Sequence, residues 1–173
     1  MNRRHIAMFA IATLLAVAGS FAVAMADDDD DDEGFSARLR GFSEVPAVLT
    51  AASGRFEADI NESTGVISFT LQYSGLEGTV SAAHIHLGQK GANGAVIAFL
   101  CGGNGKPACP GPNAGTVTGT ITAANIGAGA AAQGIAAGEF AETVRAIKAG
   151  VVYANVHSSK FPGGEIRGQV DDD

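Results

Sequence analysis

Arg55-Phe56-Glu57-Ala58-Asp59-Ile60-Asn61-Glu62-Ser63-Thr64-Gly65-Val66-Ile67-Ser68-Phe69-Thr70-Leu71-Gln72-Tyr73 is the stretch that decides the fold class. On one side of its polar centre, Phe56, Ala58 and Ile60 alternate with Arg55, Glu57 and Asp59. On the other side, Ile67, Phe69, Leu71 and Tyr73 alternate with Ser68, Thr70 and Gln72. A strand turns successive side chains to opposite faces, so period 2 with one apolar face marks antiparallel strands over a shared core. The intervening Asn61-Glu62-Ser63-Thr64-Gly65 is built of turn-forming residues and predicts a hairpin connection.

Working outward, the same alternation recurs upstream, where Phe35, Ala37 and Leu39 oppose Ser36, Arg38 and Arg40. Further strands are expected near 80–87, 95–100, 115–121, 151–157 and 165–170. One segment departs from period 2. Phe140, Val144 and Ile147 fall at i, i+4 and i+7 ahead of Gly150, which predicts a single short helix over 138–149. The chain holds 24 glycines in 173 residues, about twice the ordinary share of ~7%, as expected for many turns between short strands. The predicted fold class is all-β: an antiparallel immunoglobulin-like β-sandwich or barrel with one short helix.

Charge is concentrated at the ends. The net charge of −7 comes from 18 acids and 11 bases, yet residues 27–33 are seven consecutive acids and residues 171–173 are three more. Between them, residues 34–170 carry eight acids and nine bases. A near-neutral body without a basic stripe excludes nucleic acid as partner, because phosphate neutralisation needs clustered Lys and Arg. It excludes a polybasic membrane-surface module on the same ground. The acidic run is expected to be disordered, since like charges repel and offer nothing apolar to bury. It reads either as a solvated tail or as a calcium-binding segment, although a pure Asp run lacks the glycine and spaced ligands of an EF-hand loop.

Residues 1–26 have the parts of a secretory signal: Arg3 and Arg4, an apolar run from Ile6 to Ala18, and Ala24-Met25-Ala26 as an A-x-A cleavage site. An uncleaved anchor is the alternative, because Ile6–Ala26 is long enough to span a bilayer. With cleavage, no membrane span remains, and the protein is expected to be secreted or periplasmic. The expected organisation is a signal peptide at 1–26, a disordered acidic segment at 27–34, one β domain at 35–170 and an acidic tail at 171–173. Export also bears on Cys101 and Cys109, the only cysteines. In an oxidising compartment, two cysteines flanking a short Gly/Pro-rich loop most simply form a disulfide. A thiolate metal pair or a redox couple would be expected to show C-x-x-C spacing.

Three histidines lie beyond the signal. His84 and His86 form an H-x-H within Ala83-His84-Ile85-His86 on a predicted strand, so both imidazoles project from one face. His157 ends the predicted strand Tyr153-Ala154-Asn155-Val156-His157. Three neutral imidazoles suit zinc or copper. An open coordination position would permit copper redox chemistry or metal-assisted hydrolysis. The other reading is that these histidines anchor loops through backbone carbonyls. Ile85 and Leu87, and Val152, Ala154 and Val156, take the opposite faces, which predicts the histidines on the non-core sides of their strands. Glu44 and Glu165 form a second constellation, read either as an acid/base pair or, for Glu165 with Arg167, as ion-pairing or loop-orienting residues. There is no serine nucleophile elbow, no phosphate-binding glycine loop and no thiol–histidine pair.

Glu44-Val45-Pro46, Ala83-His84-Ile85-His86-Leu87-Gly88 with Gly91 and Gly94, and Asn155-Val156-His157 leading to Pro162-Gly163-Gly164-Glu165-Ile166-Arg167-Gly168-Gln169 occur in that order. This arrangement resembles the CHRD domain, named after chordin and found singly in exported bacterial proteins. The resemblance covers about residues 35–170. It implies an immunoglobulin-like sandwich or barrel, with the Cys101–Cys109 loop as an insertion. In chordin the repeats belong to an extracellular antagonist that binds growth factors. The leading expectation is an exported, non-enzymatic CHRD binding or structural module whose partner is an extracytoplasmic protein or a metal ion. The alternative is a small copper or zinc metalloprotein, or enzyme, using His84, His86 and His157. A third is an adhesive or matrix protein acting through its acidic segments and calcium. The H-x-H strand is also loosely similar to copper-zinc superoxide dismutases, though without a second set of zinc-type ligands.

Overall fold

The computed structural model describes residues 33–172, so the expected signal peptide and residues 27–32 of the acidic run lie outside the described residues. Nine strands form one sheet: β1 (Glu33–Arg40), β2 (Ser53–Asn61), β3 (Val66–Ser74), β4 (Val80–Leu87), β5 (Ala95–Cys101), β6 (Gly115–Ile121), β7 (Val152–Ser158), β8 (Ile166–Gln169) and β9 (Asp171–Asp172). The spatial order is β5-β4-β7-β8-β1-β2-β3-β6, with β9 paired to β1, and every pairing is antiparallel. The outermost strands β5 and β6 approach each other, so the sheet curls into a nearly closed barrel. The expected all-β antiparallel sandwich or barrel with one short helix is thus realised as a nearly closed, barrel-like sheet.

The hairpin of β2 and β3 shows how alternation becomes a core. Its register sets Phe56 opposite Leu71, Ala58 opposite Phe69 and Ile60 opposite Ile67, so one face is wholly apolar and points inward. Leu39, Leu71, Ile85, Ile121, Val152, Val156 and Ile166 are all buried with them. Each fully buried side chain of this size contributes roughly 1.5–3 kcal/mol relative to exposure. The helix α1 (Phe140–Lys148) buries Val144, Ala146 and Ile147. It stops at Gly150, whose φ of +64° suits a residue without a Cβ. There the Gly150 amide donates to the Ile147 carbonyl at 2.9 Å and the Val151 amide to the Ala146 carbonyl at 3.2 Å, which satisfies the last turn.

The seam between β5 and β6 is covered by the cysteine loop. The sulfurs of Cys101 and Cys109 are 1.97 Å apart, at disulfide distance. Lys106 Nζ donates to the Thr120 carbonyl on β6 at 2.7 Å, and the Tyr73 hydroxyl donates to the Pro110 carbonyl at 2.5 Å. A sheet edge presents unpaired backbone groups, and this loop occupies part of that edge.

Two boundaries move relative to the sequence reading. Glu33 and Gly34, expected in the disordered acidic segment, are the start of β1 and pair with Ile60 and Asp59. Lys148 offsets the local charge, lying 2.6 Å from Glu33 and 2.7 Å from Glu62. Asp171 and Asp172, expected as tail, pair with Ser36 and Phe35. The adjoining Val170 is buried, with its amide donating to the Val152 carbonyl at 2.9 Å. Backbone pairing beside a buried apolar residue thus overrides side-chain charge at both positions.

Candidate functional site

Strands β4 and β7 are neighbours, and their register sets Ala82 opposite His157, His84 opposite Asn155 and His86 opposite Tyr153. On β8, Arg167 lies opposite Asn155. Alternation sends all these polar side chains to the face that Ile85, Ala154 and Val156 do not use. The histidines do lie on the non-core sides of their strands, as predicted, but that face is not open to solvent. His84 and His86 are 8% and 7% exposed, Asn155 and Arg167 2% each, and His157 is half-buried.

What buries them is a second layer that is polar except for Phe99, whose ring lies edge-on 4.2 Å from that of His84. Arg167 donates to the carbonyls of Ala92 at 2.8 Å and Gln89 at 3.2 Å and to Asn93 Oδ1 at 3.4 Å, which draws the 88–94 loop over the face. Gly94 follows in that loop and approaches the strand so closely that a Cβ would run into the Leu87 carbonyl oxygen. That approach puts the Gly94 carbonyl 3.0 Å from His86 Nδ1. On the other side, the Pro162 carbonyl lies 3.0 Å from His157 Nδ1. A carbonyl only accepts, so both rings carry their proton on Nδ1 and turn a bare Nε2 inward. His84 completes the set, with its Nδ1 3.0 Å from His157 Nε2.

The structure therefore brings together the three histidines selected from the sequence. One nitrogen from each lies within 4.8 Å of the others, a spacing that could hold a metal ion. Burial holds all three in the neutral form that ligation requires. Removal from solvent is the main cause, pushing His84 down to about 3, with the charges of His157 and His86 adding to it. It pushes His86 down to about 4 against the opposing bond from Gly94, and His157 is also lowered by burial. Two of the rings do what the alternative reading expected, anchoring loops through carbonyls; the same bonds aim their free nitrogens at one another.

Tyr153 and Asn155 were not singled out from the sequence as site residues. The period-2 pattern of Tyr153-Ala154-Asn155-Val156-His157 carried the signal, since it puts Tyr153, Asn155 and His157 on one face. Tyr153 stacks on His86 with centroids 4.7 Å apart and planes 5° from parallel. The Arg167 guanidinium sits 3.4 Å from the Tyr153 ring centroid. Strand order places Tyr153 between them, so Arg167, Tyr153 and His86 form one stack.

The two carboxylates serve this layer differently. Glu44 is buried, which pushes its carboxyl up to about 7 although the Arg167 charge pulls the other way. Gly164, with φ +127°, lies against it; a Cβ there would come within 2.5 Å of Glu44 Oε1. Glu165 is fully buried, and its Oε1 accepts from Thr50 Oγ1 at 3.0 Å and from the Glu77 amide at 2.8 Å. Among the described residues Glu165 and Arg167 make no ion pair with each other. Their roles match the loop-orienting alternative.

Fold and site together define a small β-barrel module that carries a preformed cluster of three imidazoles under a polar cover. A family model of the CHRD domain matches residues 35–170, and the chain belongs to the CHRD-domain family. That match contains every site residue from Glu44 to Arg167. Comparison with curated proteins and with solved structures gave no match. CHRD domains are of extracellular type, and cysteines at disulfide distance point to an oxidising compartment. Among the described residues, no helix is long and apolar enough to cross a membrane.

Proposed function

We propose that this protein is an exported, non-enzymatic CHRD module, secreted or periplasmic, that binds one zinc or copper ion through His84, His86 and His157. The observation that carries the reading is the convergence of three imidazole nitrogens within 4.8 Å, two of them on rings oriented by carbonyls. A metal-ligating histidine characteristically donates its other nitrogen to a carbonyl or carboxylate, which fixes tautomer and ring orientation. Gly94 and Pro162 provide that arrangement before any ion arrives. The signal-like residues 1–26, the extracellular type of the family and the cysteine pair support export.

Titration of the mature chain with Zn(II) and with Cu(II), followed by elemental analysis, tests the reading. One equivalent is expected in the wild type and a large loss in His84→Ala and His157→Ala. Absence of uptake, or uptake unchanged in both variants, would overturn it.

A further inference from the structure

We infer that Asn155 supplies a fourth donor, its side-chain oxygen, making the centre a closed four-coordinate N3O site for Zn(II) or Cu(II). This inference rests on the three-histidine reading and adds the ligand that decides which ion the site takes and whether it has an open position.

As placed, Asn155 and two of the histidines face one another without a proton between them. Asn155 Oδ1 lies 3.1 Å from His86 Nε2 and 3.0 Å from His157 Nε2. Those two nitrogens are bare, because each ring has committed its Nδ1 proton to a backbone carbonyl. An amide oxygen also has no hydrogen to give. Three lone-pair-bearing atoms therefore converge at a site where Asn155 is 2% exposed and water has little access. In this placement the three lone-pair atoms repel, and two changes relieve this: rotation of the amide to present its NH2, or a cation among the three.

The spacing fits. Donors held ~2.0–2.1 Å from a tetrahedral ion lie roughly 3.3 Å apart. Three edges of the cluster are already near that length: His84 Nδ1 to His157 Nε2 at 3.0 Å, and Asn155 Oδ1 to His157 Nε2 and His86 Nε2 at 3.0 and 3.1 Å. These three edges need to open by a few tenths of an ångström, and the widest spacing of the imidazole nitrogens, within 4.8 Å, closes as the ion draws the rings together. Asn155 is also positioned from both sides by the sheet, opposite His84 on β4 and Arg167 on β8.

The same side chain has a role before metal arrives. Turned over about its terminal bond, its NH2 group would donate to His86 Nε2, while His157 Nε2 accepts from His84 Nδ1, and the rings would be held in register. Metal entry returns the oxygen to the inside. An amide oxygen is a hard donor, which favours Zn(II) and Cu(II) over the soft Cu(I) ion. Four protein ligands leave no vacant position, the arrangement of structural rather than catalytic zinc sites. That agrees with a non-enzymatic module.

The test compares the mature wild type with Asn155→Ala, Asn155→Asp and His157→Ala by Zn(II) affinity and by the visible spectrum of the Co(II) form. Wild type is expected to bind one equivalent with intense tetrahedral Co(II) bands. Asn155→Ala is expected to weaken binding by about 100-fold and shift those bands, since even outer-shell changes cost 10–100-fold. Asn155→Asp, which keeps an oxygen in place, is expected to restore both. If Asn155→Ala matches wild type in affinity and spectrum while His157→Ala fails to bind, the Asn155 inference is overturned and the three-histidine reading stands. Absence of Zn(II) uptake by the wild type overturns both. Should Asn155→Ala not fold, the side-chain amide resonances of Asn155 in the wild type decide: they should move on Zn(II) addition, and unmoved resonances overturn the inference.

Discussion

Glu44→Gln is the substitution whose consequence can be worked furthest from the geometry. Glu44 is 7% exposed and its carboxyl is raised from 4.5 to about 7, chiefly by burial. Between those two values the folded protein holds a proton that the unfolded chain has released. The contribution of Glu44 to stability is therefore fully present below about pH 4.5 and is lost as pH rises through 7, where the buried carboxyl finally ionises. The slope approaches 1.4 kcal/mol per pH unit at most, and the whole window is worth on the order of 3 kcal/mol. Glutamine cannot ionise, so the variant should lack this dependence. Urea unfolding at several pH values between 4 and 8.5 measures it, read as the difference between wild type and variant. Other titrating groups cancel in that difference. The variant should gain on the wild type steadily from pH 4.5 to 7.5. Parallel curves would refute the reasoning, because they would mean that Glu44 titrates alike folded and unfolded.

Two further outcomes follow from the cover and the seam. Arg167→Lys keeps the charge but loses the planar fork that reaches the Gln89 and Ala92 carbonyls and lies on Tyr153. It should cost about 2 kcal/mol and speed amide exchange in the 88–94 loop; exchange unchanged in that loop would contradict the assigned role. Joint Cys101→Ser and Cys109→Ser replacement should lower stability by about 2.5 kcal/mol for so short a loop, measured by urea unfolding. A midpoint equal to that of the wild type would show that the loop holds the seam without the bridge.

The strands, the helix and the three histidines were legible because each rests on a local signal. Alternation in 55–73 predicts both strands and their buried face, and H-x-H predicts a shared side. The closure of the barrel was not legible. It depends on a strand order built from pairings such as Leu71 with Val117 and Arg40 with Arg167, which brings β5 to β6, and nothing within a strand specifies a partner so distant along the chain. Burial of the histidine face was hidden for a related reason. Val152, Ala154 and Val156 already filled the core-facing positions of β7, so the residues between them read as solvent-facing. The cover comes from Arg167 and the 88–94 loop, far apart in the chain. Acidic residues at 33 and 171–172 read as tail because composition records charge and not the backbone bonds beside Phe35 and Val170.

Anomalous diffraction from a crystal of the mature protein loaded with Zn(II) or Cu(II) tests the central claim most directly. The account predicts one strong peak about 2.0–2.1 Å from a nitrogen of each of His84, His86 and His157. A crystal without that peak, or with the ion held elsewhere, for example by the acidic termini, would contradict it.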